Sequence, residues 1–302
     1  MLSILIPTYN HNITKLVNDL HKQAIDELVD FEIIVMEDGS TLFLNENKTV
    51  LELEFCQYTR LEKNIGRSAI RNRLADESKY KYLLFLDCDA GISSDYFIKR
   101  YLLFCAGNSI ILGGRIYETN ADAQRSLLTK YGQERERNNT KNLKIRDKYQ
   151  IFTSPNFLIS KSIFQNIRFD ESVKGYGHED TIFGIMLHRA GFKFKYIDNP
   201  VVHTGIEDNK TFIDKTEKAL YNLFALYESG EYPELENESK LTQSFIRLTK
   251  WKFVGLFNFF FKTIKPPIIR QITGKNPSLF LFDIFKLGIL CSISRSKTAR
   301  LT

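Results

Sequence analysis

Cysteine is scarce in this chain: four among 302 residues (Cys56, Cys88, Cys105 and Cys291), with no C-x-x-C and no metal-ligand spacing. That excludes a disulfide framework or a zinc module, and isolated reduced thiols suit a cytosolic face. No G-x-G-x-x-G follows the first strand, which argues against a dinucleotide oxidoreductase. No secretory leader is visible, since Leu2–Ile6 is short and runs straight into Pro7, Thr8, Tyr9 and Asn10. The stretches "WKFVGLFNFFF" and "SLFLFDIFKLGIL" fall short of the roughly 20 apolar residues that cross a bilayer. Acid is nearly missing from the C-terminal fifth: residues 240–302 hold twelve Lys/Arg and one acid, Asp283, for a charge of +11, whereas residues 1–239 carry −5. A patch of that kind meets something anionic. It contains no recognisable nucleic-acid module, so lipid head groups are the expected partner and nucleic acid is not.

What is present is a globular composition, 43 % hydrophobic and 26 % charged, long enough for one large domain or a domain with an appendage. "LSILIP", "FEIIVMED", "ELEFCQY", "YKYLLFLD" and "SIILGGR" read as strands, and "SPNFLISKSIF", "FKFKYID" and "VVHTG" as later ones. Ile13, Leu16, Val17, Leu20 and Ala24 fall at helical spacing, which predicts an amphipathic helix over 12–29. Further helices are expected over 66–78, near 94–105 and from about Asp180 to Arg189. Residues 115–150 read as helix and mobile loop. Alternating strands and helices imply a mostly parallel sheet covered on both faces, with ligands at the carboxyl ends of the strands.

Three acid-bearing or polar turns lie at such ends: Pro7–Asn10, Glu37-Asp38-Gly39-Ser40 and Asp87-Cys88-Asp89. The last ends a buried run, "YLLFLDCDAG". In extended chain, Asp87 and Asp89 would aim at one spot, and two facing carboxylates require compensation by a cation or by hydrogen bonds. Each could equally cap a helix. In "KNIGRSAIRN", Arg67 and Arg71 stand four apart on one helix face beside a glycine, an arrangement that suits a diphosphate or a solvated basic face. "GHED" sets Glu179 and Asp180 at a helix start, where anions are favoured. Asp89 and His203 could share a divalent ion with phosphate oxygens.

The ordered set "SILIPTYN", "EDGS", "NIGRSAIRN", "LFLDCDA", "NFLISKSIF…FDESVKGYGHEDTIFGIMLHRAG" and "VVH", over residues 1–205, resembles the family 2 glycosyltransferases. "GYGHED" is similar to the acceptor-side motif of β-1,4-galactosyltransferase and chondroitin-polymerase type enzymes. The resemblance implies the α/β GT-A fold: a Rossmann-like, nucleotide-binding mixed sheet flanked by helices, here with a C-terminal helical basic extension. It implies that Pro7, Thr8 and Tyr9 form the first nucleotide-contacting loop and that Asp38 reads the base. Asn64, Arg67 and Arg71 would line base and phosphates, Asp87 would lie near the ribose, and Cys88 would be a further nucleotide-sugar-binding residue. Asp89 and His203 would hold Mn2+ or Mg2+, and Asp180 would be the general base, with Glu179 holding the acceptor. Three departures stand out. Glu37 replaces the usual first Asp, Ile182 replaces a further Asp after Asp180, and Ile70-Arg71-Asn72-Arg73-Leu74 lacks a usual glycine.

The implied activity is inverting transfer of a hexose or N-acetylhexosamine from a nucleotide-sugar, UDP-linked by resemblance, to a saccharide acceptor. A nucleotidyltransferase stays open, although "IPTYNHN" has no glycine-rich, lysine-bearing loop, as does a non-catalytic membrane-associated partner. The expected organisation is a catalytic domain over 1–227, an acidic hinge over 228–239 and a basic, aromatic-rich helical region over 240–302. Lysines flanking aromatic runs suit a helix lying in a membrane interface. That places the protein in the cytoplasm on the inner face of the cell membrane, with a polyprenyl-linked acceptor.

Overall fold

Runs with no polar face form stable strands only in a sheet covered on both sides, and the N-terminal runs do this. The computed structural model describes residues 1–107, 110–117, 126–141, 149, 152–237 and 239–301. In chain order the elements are β1 (Leu2–Thr8), α1 (Thr14–Asp26), β2 (Phe31–Glu37), α2 (Leu44–Lys48), β3 (Cys56–Arg60), α3 (Arg67–Glu77), β4 (Tyr82–Leu86), β5 (Ala90–Ile92), α4 (Phe97–Leu102), β6 (Ile110–Leu112) and β7 (Arg115–Tyr117). Then follow α5 (Ser126–Lys141), β8 (Asn156–Ser160), α6 (Lys161–Asn166), α7 (Glu179–Arg189), β9 (Phe194–Tyr196), β10 (Val201–His203), α8 (Asn209–Ser229), α9 (Lys240–Lys250), α10 (Val254–Ile272) and α11 (Leu279–Leu301).

The main sheet has the order β3-β2-β1-β4-β8-β6-β9. β3, β2, β1 and β4 run parallel, β8 is antiparallel to both β4 and β6, and β6 is parallel to β9. This is the expected mixed sheet. Pairing of Thr8 with Glu37 and of Glu37 with Arg60 aligns the carboxyl ends along one edge. α1 buries Leu16, Val17, Leu20 and Ala24 against the strand residues Ile4, Ile33 and Leu84; each large side chain contributes roughly 1.5–3 kcal/mol. A second sheet, β5-β10-β7, pairs β10 antiparallel with β5 and parallel with β7.

Some boundaries differ from the sequence expectation. The strand read through "SPNFLISKSIF" ends at Ser160, whose hydroxyl accepts from the Ile163 N–H at 3.4 Å and caps α6. The strand expected at "ELEFCQY" starts only at Cys56, after a 3-10 turn over Thr49–Glu52. Within the segment 115–150 read as helix and mobile loop, 118–125, 142–148 and 150 lie outside the described residues.

The chain divides into two compact units. The first comprises Met1–Glu118, Arg135–Val173 and Glu179–Gly205; the second comprises Thr119–Glu134, Lys174–His178 and Ile206–Thr302. In the second, α8 ends at Gly230, whose φ of 68° is left-handed, and a 3-10 turn over Pro233–Asn237 buries Leu235. No described helix is long and apolar enough to cross a membrane.

Candidate active site

The parallel strands deliver three loops to one edge of the first unit, and side chains stitch them together. Asp38 N–H donates to the Thr8 carbonyl at 2.8 Å. Asn10 N–H donates to Ser40 Oγ at 2.9 Å, and Asn10 Oδ1 accepts from the Thr41 and Leu42 N–H groups at 2.7 and 3.1 Å. Beneath them Glu37, fully buried, accepts from Asn47 Nδ2 at 2.7 Å and from the Ser40 hydroxyl. Burial and this carboxylate push the Tyr58 hydroxyl up to about 12.

Asp38 lies between two backbone donors, Ile65 N–H at 2.7 Å and Gly66 N–H at 3.2 Å, while Asn64 Nδ2 donates to the Asp38 carbonyl at 3.0 Å. Burial raises the Asp38 carboxyl above its ordinary range, and the two donors pull the other way without cancelling it. Gly39 allows the contact: its φ is +72°, and a Cβ there would stand 2.5 Å from Asn64 N.

From α3, Arg71 gathers charge from three directions. Its Nη2 donates to Asp87 Oδ1 at 2.6 Å, Nη1 donates to the Arg67 carbonyl at 3.2 Å, and Nη1 stands 4.0 Å from Glu179 Oε1. Its guanidinium also covers the Phe169 ring at 5.5 Å. Arg67 reaches Glu179 Oε1 at 3.3 Å. Asn72 fixes the loop carrying Phe169, exchanging hydrogen bonds with its backbone at 2.9 and 3.1 Å and donating to Glu171 at 2.8 Å.

Asp87–Ala90 is a turn closed by Ala90 N–H on the Asp87 carbonyl at 3.0 Å. Because β10 pairs His203 with Ala90, the imidazole arrives beside Asp89, and Nε2 donates to Asp89 Oδ2 at 2.9 Å. Thr204 donates twice to the Asp89 carbonyl, at 2.9 and 2.8 Å. Burial opposes ionisation of Asp89, but the hydrogen bond and charge of His203, with Arg115 and His11 nearby, outweigh it and hold the carboxyl below its ordinary range. The Cys88 thiol is pushed up to about 12, chiefly by burial, so it presents S–H and not thiolate.

An octahedral ion about 2.1 Å from each ligand separates neighbouring donors by about 3.0 Å. Asp89 Oδ2 and His203 Nε2 stand 2.9 Å apart, so once Nε2 gives up its proton the pair fits two adjacent positions. His203 Nδ1 is buried without a hydrogen-bond partner. Among the described residues no group of three or more His, Cys, Asp or Glu could hold a metal, so an ion here would take its other ligands from water or phosphate.

Glu179 and Asp180 occupy the first turn of α7, where the helix dipole favours them. They differ in accessibility: the Glu179 side chain is 6 % exposed and held by arginines, whereas that of Asp180 is 20 % exposed, with Arg135 Nη2 at 3.7 Å. Asp180 Oδ1 accepts from the Thr181 N–H at 2.8 Å, and Oδ2 faces Arg135.

One compact unit thus holds Asp38, Asn64, Arg67, Arg71, Asp87, Cys88, Asp89, Glu179, Asp180 and His203. Pro7 is half-buried and Tyr9 exposed, while the buried Thr8 turns its hydroxyl back to the Ile6 carbonyl at 3.3 Å, leaving only its backbone for this edge. Two contributors escaped the sequence reading, Asn72 and Arg135, and a third, Glu37, reads in the sequence only as an exchange for Asp. Asn72 and Arg135 have partners remote in the chain, so no short motif marks them.

A family model described as "Glycosyl transferase family 2" matches residues 3–168. Chondroitin synthase from Escherichia coli is 28 % identical over 240 residues, covering 67 % of this chain but only 34 % of its own length. The chain therefore spans about a third of that curated relative. Among solved structures, the mannosyltransferase PcManGT from Pyrobaculum calidifontis, in complex with GDP-Man and Mn2+, superposes with a TM-score of 0.60 at 10 % identity, covering 95 % of this chain and 86 % of that one. S. aureus TarS 1-349 in complex with UDP-GlcNAc gives a TM-score of 0.51 at 14 % identity over 99 % and 91 % of the two chains. Both likenesses establish the GT-A fold.

Proposed function

The chain belongs to glycosyl transferase family 2, and we propose that it transfers a hexose or N-acetylhexosamine, with inversion, from a nucleotide-sugar to a saccharide hydroxyl. One observation carries the reading. A single buried guanidinium, Arg71, joins Asp87 of the Asp87-Cys88-Asp89 turn to Glu179 at the start of α7, which draws a donor-side and an acceptor-side element into one charge network. A UDP-linked donor is supported by the UDP-GlcNAc carried by TarS, and a saccharide acceptor by the activity named for chondroitin synthase.

In this reading Asp38, Asn64 and the Pro7–Tyr9 loop receive the nucleoside, and Asp87 and Cys88 lie by the ribose. Arg67 and Arg71 face the diphosphate. Asp89 and His203 would hold a divalent ion, Mn2+ or Mg2+, a reading supported by the Mn2+ in the mannosyltransferase complex. Bound there, the ion would supply charge neutralisation for the departing diphosphate. The acceptor oxygen bonds to the anomeric carbon as the bond from that carbon to the phosphate oxygen breaks, and the nucleoside diphosphate leaves. Asp180 takes the hydroxyl proton. Glu179, already paired with Arg67, orients that side of the site and is poorly placed to receive a proton. Backside displacement turns an α-linked donor into a β-linked product.

The basic C-terminal region fits an acceptor carried on a polyprenyl lipid, with the protein peripheral on the inner face of the membrane, in assembly of a bacterial surface polysaccharide. The test is a donor screen. Purified protein with Mn2+ is offered UDP-, GDP- and dTDP-sugars, and free nucleotide is recorded with and without EDTA. Metal-dependent turnover of one sugar nucleotide, lost in Asp89→Ala, supports the reading; no turnover together with no nucleotide binding by calorimetry rejects it.

A further inference from the structure

In the second unit α10 and α11 are both rich in large apolar side chains, and they place them differently. α11 turns Phe282, Phe285, Ile289, Leu290 and Cys291 inward, all buried, and among its described side chains exposes one large apolar group, Phe280 in its first turn. α10 buries Asn258, Phe261, Ile268 and Ile272 on one side only. On its opposite side Leu256, Phe259, Phe260 and Ile264 are 54, 66, 58 and 42 % exposed. Their spacing (i, i+3, i+4, i+8) keeps them on one face. Trp251 and Phe253, 65 and 49 % exposed, continue the patch into the turn before the helix, where Lys252 has a left-handed φ of 60°. A contiguous aromatic surface of this kind marks an interaction site.

Charge identifies the partner. Residues 240–272 contain seven Lys/Arg and no acid. Lys265 turns to Glu217 at 3.1 Å, whereas Lys250, Lys252, Lys262 and Arg270 are exposed around the apolar stripe. A second copy meeting this face through a two-fold axis would set like charges against like. An anionic lipid surface complements both the stripe and its cationic border.

Resting on the membrane reading above, we infer that α10 alone is the docking element. It lies in the plane of an anionic bilayer, with Trp251, Phe253, Leu256, Phe259, Phe260 and Ile264 in the boundary between head groups and acyl chains and the cations on lipid phosphates. α11 contributes packing and no insertion.

The chain's only tryptophan, Trp251, reports on this directly. The full protein is mixed with vesicles of phosphatidylcholine, with or without phosphatidylglycerol, and followed by emission and co-sedimentation. The expected result is salt-sensitive binding to the anionic vesicles with a blue shift of Trp251. Phe259→Ser/Phe260→Ser lowers partitioning by at least about tenfold, Lys250→Glu/Lys252→Glu removes the preference for anionic lipid, and both keep wild-type donor turnover. Binding with unshifted emission, or undiminished in the phenylalanine variant, overturns the α10 assignment while leaving a membrane role through another face. Absence of vesicle binding, or a dimer that the phenylalanine variant dissociates without any lipid binding, overturns both. Donor turnover reads the transferase independently of either outcome.

Discussion

Arg71 and Asp87 meet at 2.6 Å, guanidinium to carboxylate, with the arginine 3 % exposed. The contact ties α3 to the end of β4, and the same cation stands near Glu179 at the start of α7. Taking the cation away leaves two carboxylates close together with little water. Arg71→Met is therefore expected to lower unfolding free energy by about 3 kcal/mol, the lower end for breaking a buried pair, because Asp87 keeps some solvent. Urea titration measures it; a change under about 1 kcal/mol would mean that the network does not hold the unit together.

Asp180 and Glu179 are neighbours with different surroundings, and substitution separates them. Asp180→Asn is expected to reduce kcat by about 10²- to 10⁴-fold, the usual effect of removing a positioned base, while calorimetric nucleotide affinity stays at the wild-type value. Turnover at the wild-type rate would falsify the assignment of the base.

Asp89 and His203 are predicted to act as one unit toward a divalent ion. EDTA should abolish turnover and added Mn2+ restore it. His203→Ala should raise the Mn2+ concentration for half-maximal turnover by about 10- to 100-fold, a range typical of weakened metal sites. An unchanged Mn2+ requirement would leave His203 a structural partner of Asp89 alone.

The four thiols make a pH prediction. Burial pushes Cys56, Cys88 and Cys291 to about 12 and Cys105 to about 11. Because desolvation raises a thiol pKa, the thiolate fraction at pH 8 is about one in a thousand or less. Native protein should resist iodoacetamide at pH 8 and label at four sites in guanidinium. Fast native labelling of any one of them would contradict the burial that sets these values.

The fold was legible where a period extended over enough residues. The runs of β1, β2 and β4 and the spacing of Ile13, Leu16, Val17, Leu20 and Ala24 declare themselves, because each is satisfied by one covered sheet. β5, β7 and β10 have three residues apiece, too few for a period, so their pairing, which brings His203 to Asp89, exists only in three dimensions. The α6 start was missed because in "FLISKSIF" the polar break Ser160-Lys161-Ser162 is short and apolar residues resume after it, and Ser160 as a cap outweighs β propensity only once β8 meets its end. In the site, Arg67 and Arg71 were visible as a pair four apart. Glu37 looked like a tolerated exchange for Asp; the longer side chain in fact reaches Asn47, ten residues on, at 2.7 Å.

The pairing of β10 with β5 sets a schedule as well as a geometry. Asp89 and His203 are 114 positions apart in the chain. At synthesis rates of about 5–20 residues per second, the carboxylate leaves the ribosome roughly 6–23 s before its imidazole. Through that interval β1, β2, β3 and β4 have emerged with the aspartate turn, and the nascent chain still lacks the Asp89–His203 contact. If the proposed ion site holds, divalent-ion affinity would belong to the finished first unit and would serve as a late marker of folding that an N-terminal fragment ending before β10 could not reproduce through this pair.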